Sequence, residues 1–207
     1  MGFDTVVGHD RQKSMFLSLL GTGNLPQAFL LVGQKGIGKR RIALETVKYL
    51  FCEHGTACGQ CRPCMNVDRG SHPDLVVVQG DTSIGIDQSR MLSKEISEYP
   101  YEGDRRAIII DDAEIMTTEA ANALLKTLEE PPPYNIFFLI TSSERDIPRT
   151  IRSRCARVAF SPLGREALRE YFTRFFKGDQ ERASLFSHIS YGSIGCGLFW
   201  SQEEHFG

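Results

Sequence analysis

The sequence predicts an α/β fold: a five-stranded parallel sheet, followed by a small helical domain. Three observations predict it. Short apolar runs alternate with helix-type patterns, which is how a parallel sheet covered on both faces appears in sequence. A glycine-rich segment from Gly33 to Lys39 joins the first apolar run to a helical pattern. Acids close the third run, at the strand ends where open α/β sheets bind ligands.

The elements follow in order. A helix is expected over 10–20, the first strand over Ala28–Val32, and a second helix over Lys39–Phe51. Further strands are expected at 75–79, 106–111, 135–141 and 156–160. They are apolar runs rather than strict alternations, as expected of strands covered on both faces. Helices are expected at 87–98, 117–129 and, short, at 148–153. Thr117 and Thr118 suit a helix start, Glu119 suits the positive end of its dipole, and Pro131, Pro132 and Pro133 end it. Beyond Phe160, Ser161-Pro162-Leu163-Gly164 reads as a linker, and helical patterns at 165–176 and 179–189 follow with no further strand. The expected organisation is a first domain over 1–162 with a cysteine insert at 52–64, then a helical domain over 163–207 that is only partly present.

The composition limits the function classes. With 207 residues, 41% hydrophobic and 24% charged, the chain is globular rather than disordered. Its longest apolar runs have five residues, far below the roughly 20 a bilayer span needs. Met1-Gly2-Phe3-Asp4 lacks the basic and apolar parts of a signal peptide, so a cytoplasmic location is expected. The 24 Lys and Arg against 26 Asp and Glu leave a net charge of −2, so any contact with nucleic acid has to be a local patch.

Gly33-Gln34-Lys35-Gly36-Ile37-Gly38-Lys39 has the spacing G-x-x-x-x-G-K between a strand and a helix. Gly33, Gly36 and Gly38 let the backbone curl so that N–H groups and the helix start face an anion, and Lys39 adds a charge at the terminal phosphates. The bland reading is a glycine-rich turn without ligand. ATP or ADP is the ligand this pattern takes, but Arg40 stands where a Ser or Thr hydroxyl would bind magnesium. A guanidinium has no lone pair to give a metal.

Asp111 and Asp112, with Glu114 beyond, end the third apolar run. Asp111 is placed as a magnesium partner. Asp112 sits where ATPases of the Asp-Glu type carry the longer acid that polarises water, and a misplacement of roughly 1 Å can cost about 100-fold. Alternatively the acids merely begin a loop.

Cys52, Cys58, Cys61 and Cys64 supply four thiols within thirteen residues. Their Cys-x2-Cys pairs match a tetrahedral, closed, structural zinc site. An iron–sulfur cluster, unliganded thiols, or His54 in place of Cys52 are the competing readings. Finally, Arg149, Arg152, Arg154 and Arg157 follow the fourth strand. A charge run is usually a solvated face, but an arginine here could also reach a neighbouring subunit's phosphoryl group.

Together the phosphate loop, the cysteine module, "SIGIDQSR" at 83–90, "IIIDDAEIMTTEAANALLKTLEEPPP" at 108–133 and "TIRSRC" at 150–155 resemble the clamp-loader subunits of bacterial DNA polymerase III, in the AAA+ superfamily. The resemblance covers nearly all of the first 160 residues. Arg40, Asp112 and Gly192-Ser193-Ile194-Gly195-Cys196, which lacks the basic sensor residue of the lid motif, resemble the delta prime branch rather than the gamma/tau motor. The resemblance implies a role in DNA replication, in a five-subunit ring with gamma/tau and delta. That ring opens the sliding clamp and loads it onto primed DNA, as part of a nucleotidyltransferase holoenzyme. It implies that Arg154 serves as a finger at the ATP site of an adjacent gamma subunit, and that this chain hydrolyses ATP weakly or not at all. Thr141 and Ser142 fall where the family has its first sensor. The family's third, collar domain has no counterpart in the sequence. Two other classes remain: an active gamma/tau-like ATPase motor, and a zinc-dependent nucleic-acid-binding module.

Overall fold

Strands β1 (Ala28–Val32), β2 (Leu75–Val78), β3 (Arg106–Ile110), β4 (Asn135–Thr141) and β5 (Ala156–Ala159) form one sheet in the order β2-β3-β4-β1-β5. They are taken from a computed structural model that describes residues 2–80, 83–85 and 96–202. Every neighbouring pair is parallel. β1 lies between β4 and β5, with Val32 level with Thr141 on one side and Ala159 on the other. The segments that leave β1 and β4 therefore emerge on one rim, and β3, paired to β4, contributes Asp111 to the same rim.

Alternation along β1 sends Phe29 and Leu31 to one face and Leu30 to the other. The first face is covered by α1 (Asp10–Thr22) and α2 (Lys39–Phe51), with Phe16, Ile42 and Val47 packed on Phe29, Ile109 and Phe138. The second is covered by α4 (Thr118–Glu129) and α5 (Arg149–Arg152), with Leu124, Leu128 and Ile151 on Ile108, Phe137 and Leu139. Both faces are buried, so the expected apolar runs are strands. Thr117 caps α4 by accepting from the Ala120 N–H at 3.2 Å.

A helix not anticipated in the sequence, α3 (Arg62–Arg69), lies inside the cysteine segment. Most of the helix expected over 87–98 lies outside the described residues, as does the greater part of "SIGIDQSR". The last three helices, α6 (Arg165–Phe175), α7 (Gln180–Ile189) and α8 (Ile194–Gln202), surround an apolar cluster of their own, built on Leu163, Leu168, Phe172, Ala183 and Phe186. α8 follows Gly192-Ser193, beyond the two helical patterns expected at 165–176 and 179–189. Among the described residues, no helix is long and apolar enough to cross a membrane.

Candidate functional site

The loop 33–38 runs from the C-terminal end of β1 into the first turn of α2. Gly36 and Gly38 have φ of 76° and 109°, values that side chains resist, so the curl depends on glycine there. The Lys39 ammonium is buried and folds back over the loop, donating to the carbonyls of Gly33 and Gln34, the latter at 2.8 Å. Burial lowers its pKa, against the pull of Glu114 and Asp111.

Two cavities flank the loop. One, of about 320 Å³, is charged, lined by Lys35, Lys39, Arg40, Gln79, Asp111 and Asp112. The other, of about 250 Å³, is largely apolar, lined by Val6, Val7, Ile37, Arg41, Tyr171 and Ile194. An apolar slot and a cationic cradle on either side of one loop suit the two ends of a nucleotide. The lining of the apolar slot escaped the sequence reading, because Val6-Val7 is an unremarkable apolar pair and Tyr171 is distant in sequence; the one local signal was the turn at Gly8 between them and α1.

Both acids at the end of β3 are engaged by cations from the loop and its helix. Arg40 Nη1 lies 3.6 Å from Asp111 Oδ2 and donates to Gln79 Oε1 at 3.2 Å. Burial raises the Asp111 pKa, with Arg40 opposing. Asp112, in the left-handed region at φ 49°, accepts from Lys35 Nζ at 2.6 Å. Glu114 accepts from the backbone N–H of Ser142 at 3.0 Å and from its hydroxyl. Burial would raise the Glu114 pKa, yet these bonds hold it below the usual range. The hydroxyl of Thr141 donates to Ser143 O at 3.0 Å. Thr141 and Ser142 thus stand at the strand ends with their hydroxyls engaged within the chain.

The start of α8 rests on the phosphate loop. Gly195 N–H donates to Gly36 O at 2.9 Å, and Ser193 Oγ donates to Lys35 O at 2.9 Å. A Cβ on Gly195 would lie 2.7 Å from Gly36 Cα. α8 itself carries no basic residue.

The four thiols converge: the sulfurs of Cys52, Cys58, Cys61 and Cys64 all lie within 4.8 Å of one another. Cys52 ends α2, Cys58 and Cys61 lie on the following loop, and Cys64 is buried in α3. Backbone N–H groups of His54 and Cys58 reach Cys52 Sγ at 3.4 and 3.5 Å, and those of Gln60 and Cys61 reach Cys58 Sγ at 3.5 and 3.4 Å. Against burial, these donors bring the Cys52 thiol down to about 5. The N–H groups of Gln60 and Cys61 lower Cys58, while burial raises Cys64. His54 presents its backbone, not its ring, to the cluster. Four soft donors at this separation, with amides pointing at sulfur, fit a tetrahedral soft-metal site.

Arg154 is exposed and ion-paired with Glu129 at 2.6 Å, while its Nη1 donates to Thr150 O at 2.8 Å. Arg157 forks onto Glu144, both contacts of its Nε at 2.9 Å. Ala156 pairs with Phe29, so Arg154 precedes the starting end of β5, whereas the phosphate loop leaves the finishing end of β1. Four strand residues separate the two levels, about 13 Å of sheet at 3.3 Å each. Arg154 and the loop of its own chain lie on opposite rims.

The family model described as "DNA polymerase III, delta subunit" matches residues 8–164. The delta' subunit of Bacillus subtilis (strain 168) is 41% identical over 163 residues, covering 77% of this chain and 50% of that protein. The delta' subunit of Pseudomonas aeruginosa is 34% identical over 169 residues, covering 79% and 52%. The tau subunit of Escherichia coli (strain K12) is 33% identical over 170 residues, covering 81% and 26%. The chain spans about half the length of those delta' relatives and about a quarter of tau. A gamma subunit-related protein from Thermotoga maritima superposes with a TM-score of 0.59 at 24% identity, over 90% of this chain and 61% of its own. The RuvB Holliday junction branch migration motor of Thermotoga maritima gives 0.64 at 14%, over 97% and 63%. These two likenesses speak to the fold.

Proposed function

The chain belongs to the DNA polymerase III delta-subunit family, as a clamp-loader-type subunit of delta' kind, and from that premise we propose that it is a weakly hydrolysing or non-hydrolysing member of a clamp-loader ring. In this reading its partners are gamma/tau and delta, and the assembled ring acts on the sliding clamp and primed DNA. In the same reading residues 1–162 are the AAA+ domain and 163–207 belong to its helical lid. The chain keeps a site for ATP or ADP at Gly33, Gly36, Gly38 and Lys39, and acts catalytically on its neighbour by placing Arg154 against the neighbour's transferring phosphoryl group. Cys52, Cys58, Cys61 and Cys64 would hold a structural zinc ion, which supplies no chemistry beyond fixing the segment between α2 and α3.

The observation that carries this reading is the disposition of two arginines. Arg40 lies against its own chain's Asp111, while Arg154 lies exposed on the rim away from its own loop. The first arrangement leaves the chain poorly equipped to place a metal and activate water. The second leaves a guanidinium that only another subunit's nucleotide can use. Fingers of this kind contribute about 10³- to 10⁵-fold to turnover. In a ring assembled with gamma and delta, Arg154→Ala should lower ATP hydrolysis by about 10³-fold at unchanged assembly. An unaltered rate removes the role assigned to Arg154. The intact loop and the tau relatives favour a motor as the second reading, and magnesium-dependent turnover by the isolated chain at a rate matching gamma's would establish it instead.

A further inference from the structure

A magnesium ion does not fit the residues of the phosphate site. The ion normally takes oxygen ligands, from a hydroxyl after the loop lysine and a carboxylate at the strand end, and bridges to phosphate oxygens. Here the hydroxyl is replaced by Arg40, whose Nη1 already faces Asp111 at 3.6 Å and is steadied by Gln79 at 3.2 Å. Asp112 is held by Lys35 at 2.6 Å. A divalent ion entering this cavity would meet a guanidinium where a ligand should be, and two carboxylates already neutralised. The same cavity is nonetheless furnished for anions: three cations, Lys35, Lys39 and Arg40, and the glycine backbone at Gly36 and Gly38 line it beside Asp111 and Asp112.

We propose that this site takes nucleoside di- and triphosphates free of divalent metal, with the Arg40 guanidinium supplying the positive charge that magnesium supplies elsewhere. The inference rests on the reading of residues 33–39 as a nucleotide loop and adds the form of the ligand. Arg40 stands next to Lys39 on the first turn of α2, and its side chain is exposed, so it can exchange Asp111 for phosphate oxygens without disturbing the core. A guanidinium fork binds phosphate by two parallel hydrogen bonds, which an ammonium or a hydroxyl cannot do. Asp111 then competes with the ligand for Arg40.

The test is a fluorescence titration of the purified chain with a methylanthraniloyl-labelled ADP, once in EDTA and once in millimolar magnesium. The dissociation constant in EDTA should equal that in magnesium within about twofold, or be tighter. Arg40→Thr should weaken binding in EDTA by about tenfold or more and make it recover on addition of magnesium. Asp111→Asn should tighten binding in EDTA, and unchanged or weaker binding there would overturn the competition of Asp111 with the ligand for Arg40. A wild-type affinity that rises about tenfold with magnesium overturns the role of Arg40 while leaving the nucleotide loop standing. No binding under either condition overturns the loop reading itself, and the inference with it.

Discussion

At the scale of single residues, the far side of the sheet holds a buried pair remote from the loop at 33–39. Asp74, just before β2, and Arg106, which opens β3, are both fully buried, with Oδ1 and Nη2 3.9 Å apart. Asp74 accepts from the N–H groups of Tyr101 and Glu102 at 2.6 and 2.9 Å, and Arg106 donates to the carbonyls of Glu98 and Tyr99 at 2.8 and 3.0 Å. The two side chains thus pin the turn at 98–102 to the sheet. Removing Asp74 takes the carboxylate from this buried pair and the acceptor from the N–H groups of Tyr101 and Glu102, which costs about 3–5 kcal/mol. Asp74→Ala should lower the free energy of unfolding by that amount in a urea titration; a loss below about 1 kcal/mol would show that water replaces the carboxylate. Nothing in the sequence marked this pair, because charged residues beside strands are commonplace and pairing across the sheet is not local. The glycine-rich loop between β1 and α2 was legible as a loop for the opposite reason: its pattern lies within seven consecutive residues. Arg40 stood between these cases. Its missing hydroxyl could be read, whereas its engagement with Asp111 and Gln79 required the fold.

At the scale of elements, the five strands were legible to within a residue at each end because they are mainly apolar; burial on both faces explains this for β1, β3 and β4, whereas the edge strand β5 exposes Arg157 and Ala159. Helix α3 was not, because in Arg-Pro-Cys-Met-Asn-Val-Asp-Arg the apolar face is a single i, i+3 pair, Cys64 and Val67, too short to establish a period. It is specified instead by its ends: Pro63 in the first turn, and Gly70 at φ 68° donating to Asn66 O and Val67 O. Inward it buries only Cys64 and Val67. A helix of eight residues with two buried side chains has little packing energy of its own. Lys48, which is 3% exposed, ties it to α2 through Asp68 at 3.1 Å, and the thiol cluster ties it at Cys64. The cluster is therefore expected to decide whether α3 stays folded. Elemental analysis should find about one zinc per chain, and Cys64→Ser should reduce that content sharply. A strong chelator should lower the thermal midpoint by about 4–8 °C, corresponding to about 2 kcal/mol in a chain of this size. A metal-free preparation with the same midpoint would assign the thiols no structural ion.

At the scale of the whole molecule, what has to be explained is how the helical segment comes to sit on the phosphate loop. Sheet and helices have separate apolar clusters, so burial alone does not fix their relative placement. Three glycines do. Gly192 lets the chain turn against Pro162, where a Cβ would come within 2.4 Å of the proline Cβ. Gly197 admits Phe172, whose ring would lie 2.3 Å from a Cβ. Gly195 brings backbone to backbone at Gly36, and the 2.9 Å bond from Gly195 N–H to Gly36 O closes the contact. The sequence showed Gly195 only as part of a segment without the basic residue of the lid motif; the fold shows that its smallness is itself used. A side chain at Gly195 meets main chain, which no rotamer change relieves, so α8 must back away from the loop. Overpacking of this kind costs about 1–3 kcal/mol. Gly195→Arg should therefore speed amide hydrogen exchange at 194–198 and at 33–38 by about tenfold or more, since 1.4 kcal/mol of lost protection corresponds to that factor. Amides of β3 and β4, buried beneath neither contact, should keep their protection. Uniformly accelerated exchange would mean that the substitution destabilises the whole molecule. Unchanged exchange at 33–38 would mean that the loop holds its shape without α8, and the glycine contact would then be packing without mechanical consequence.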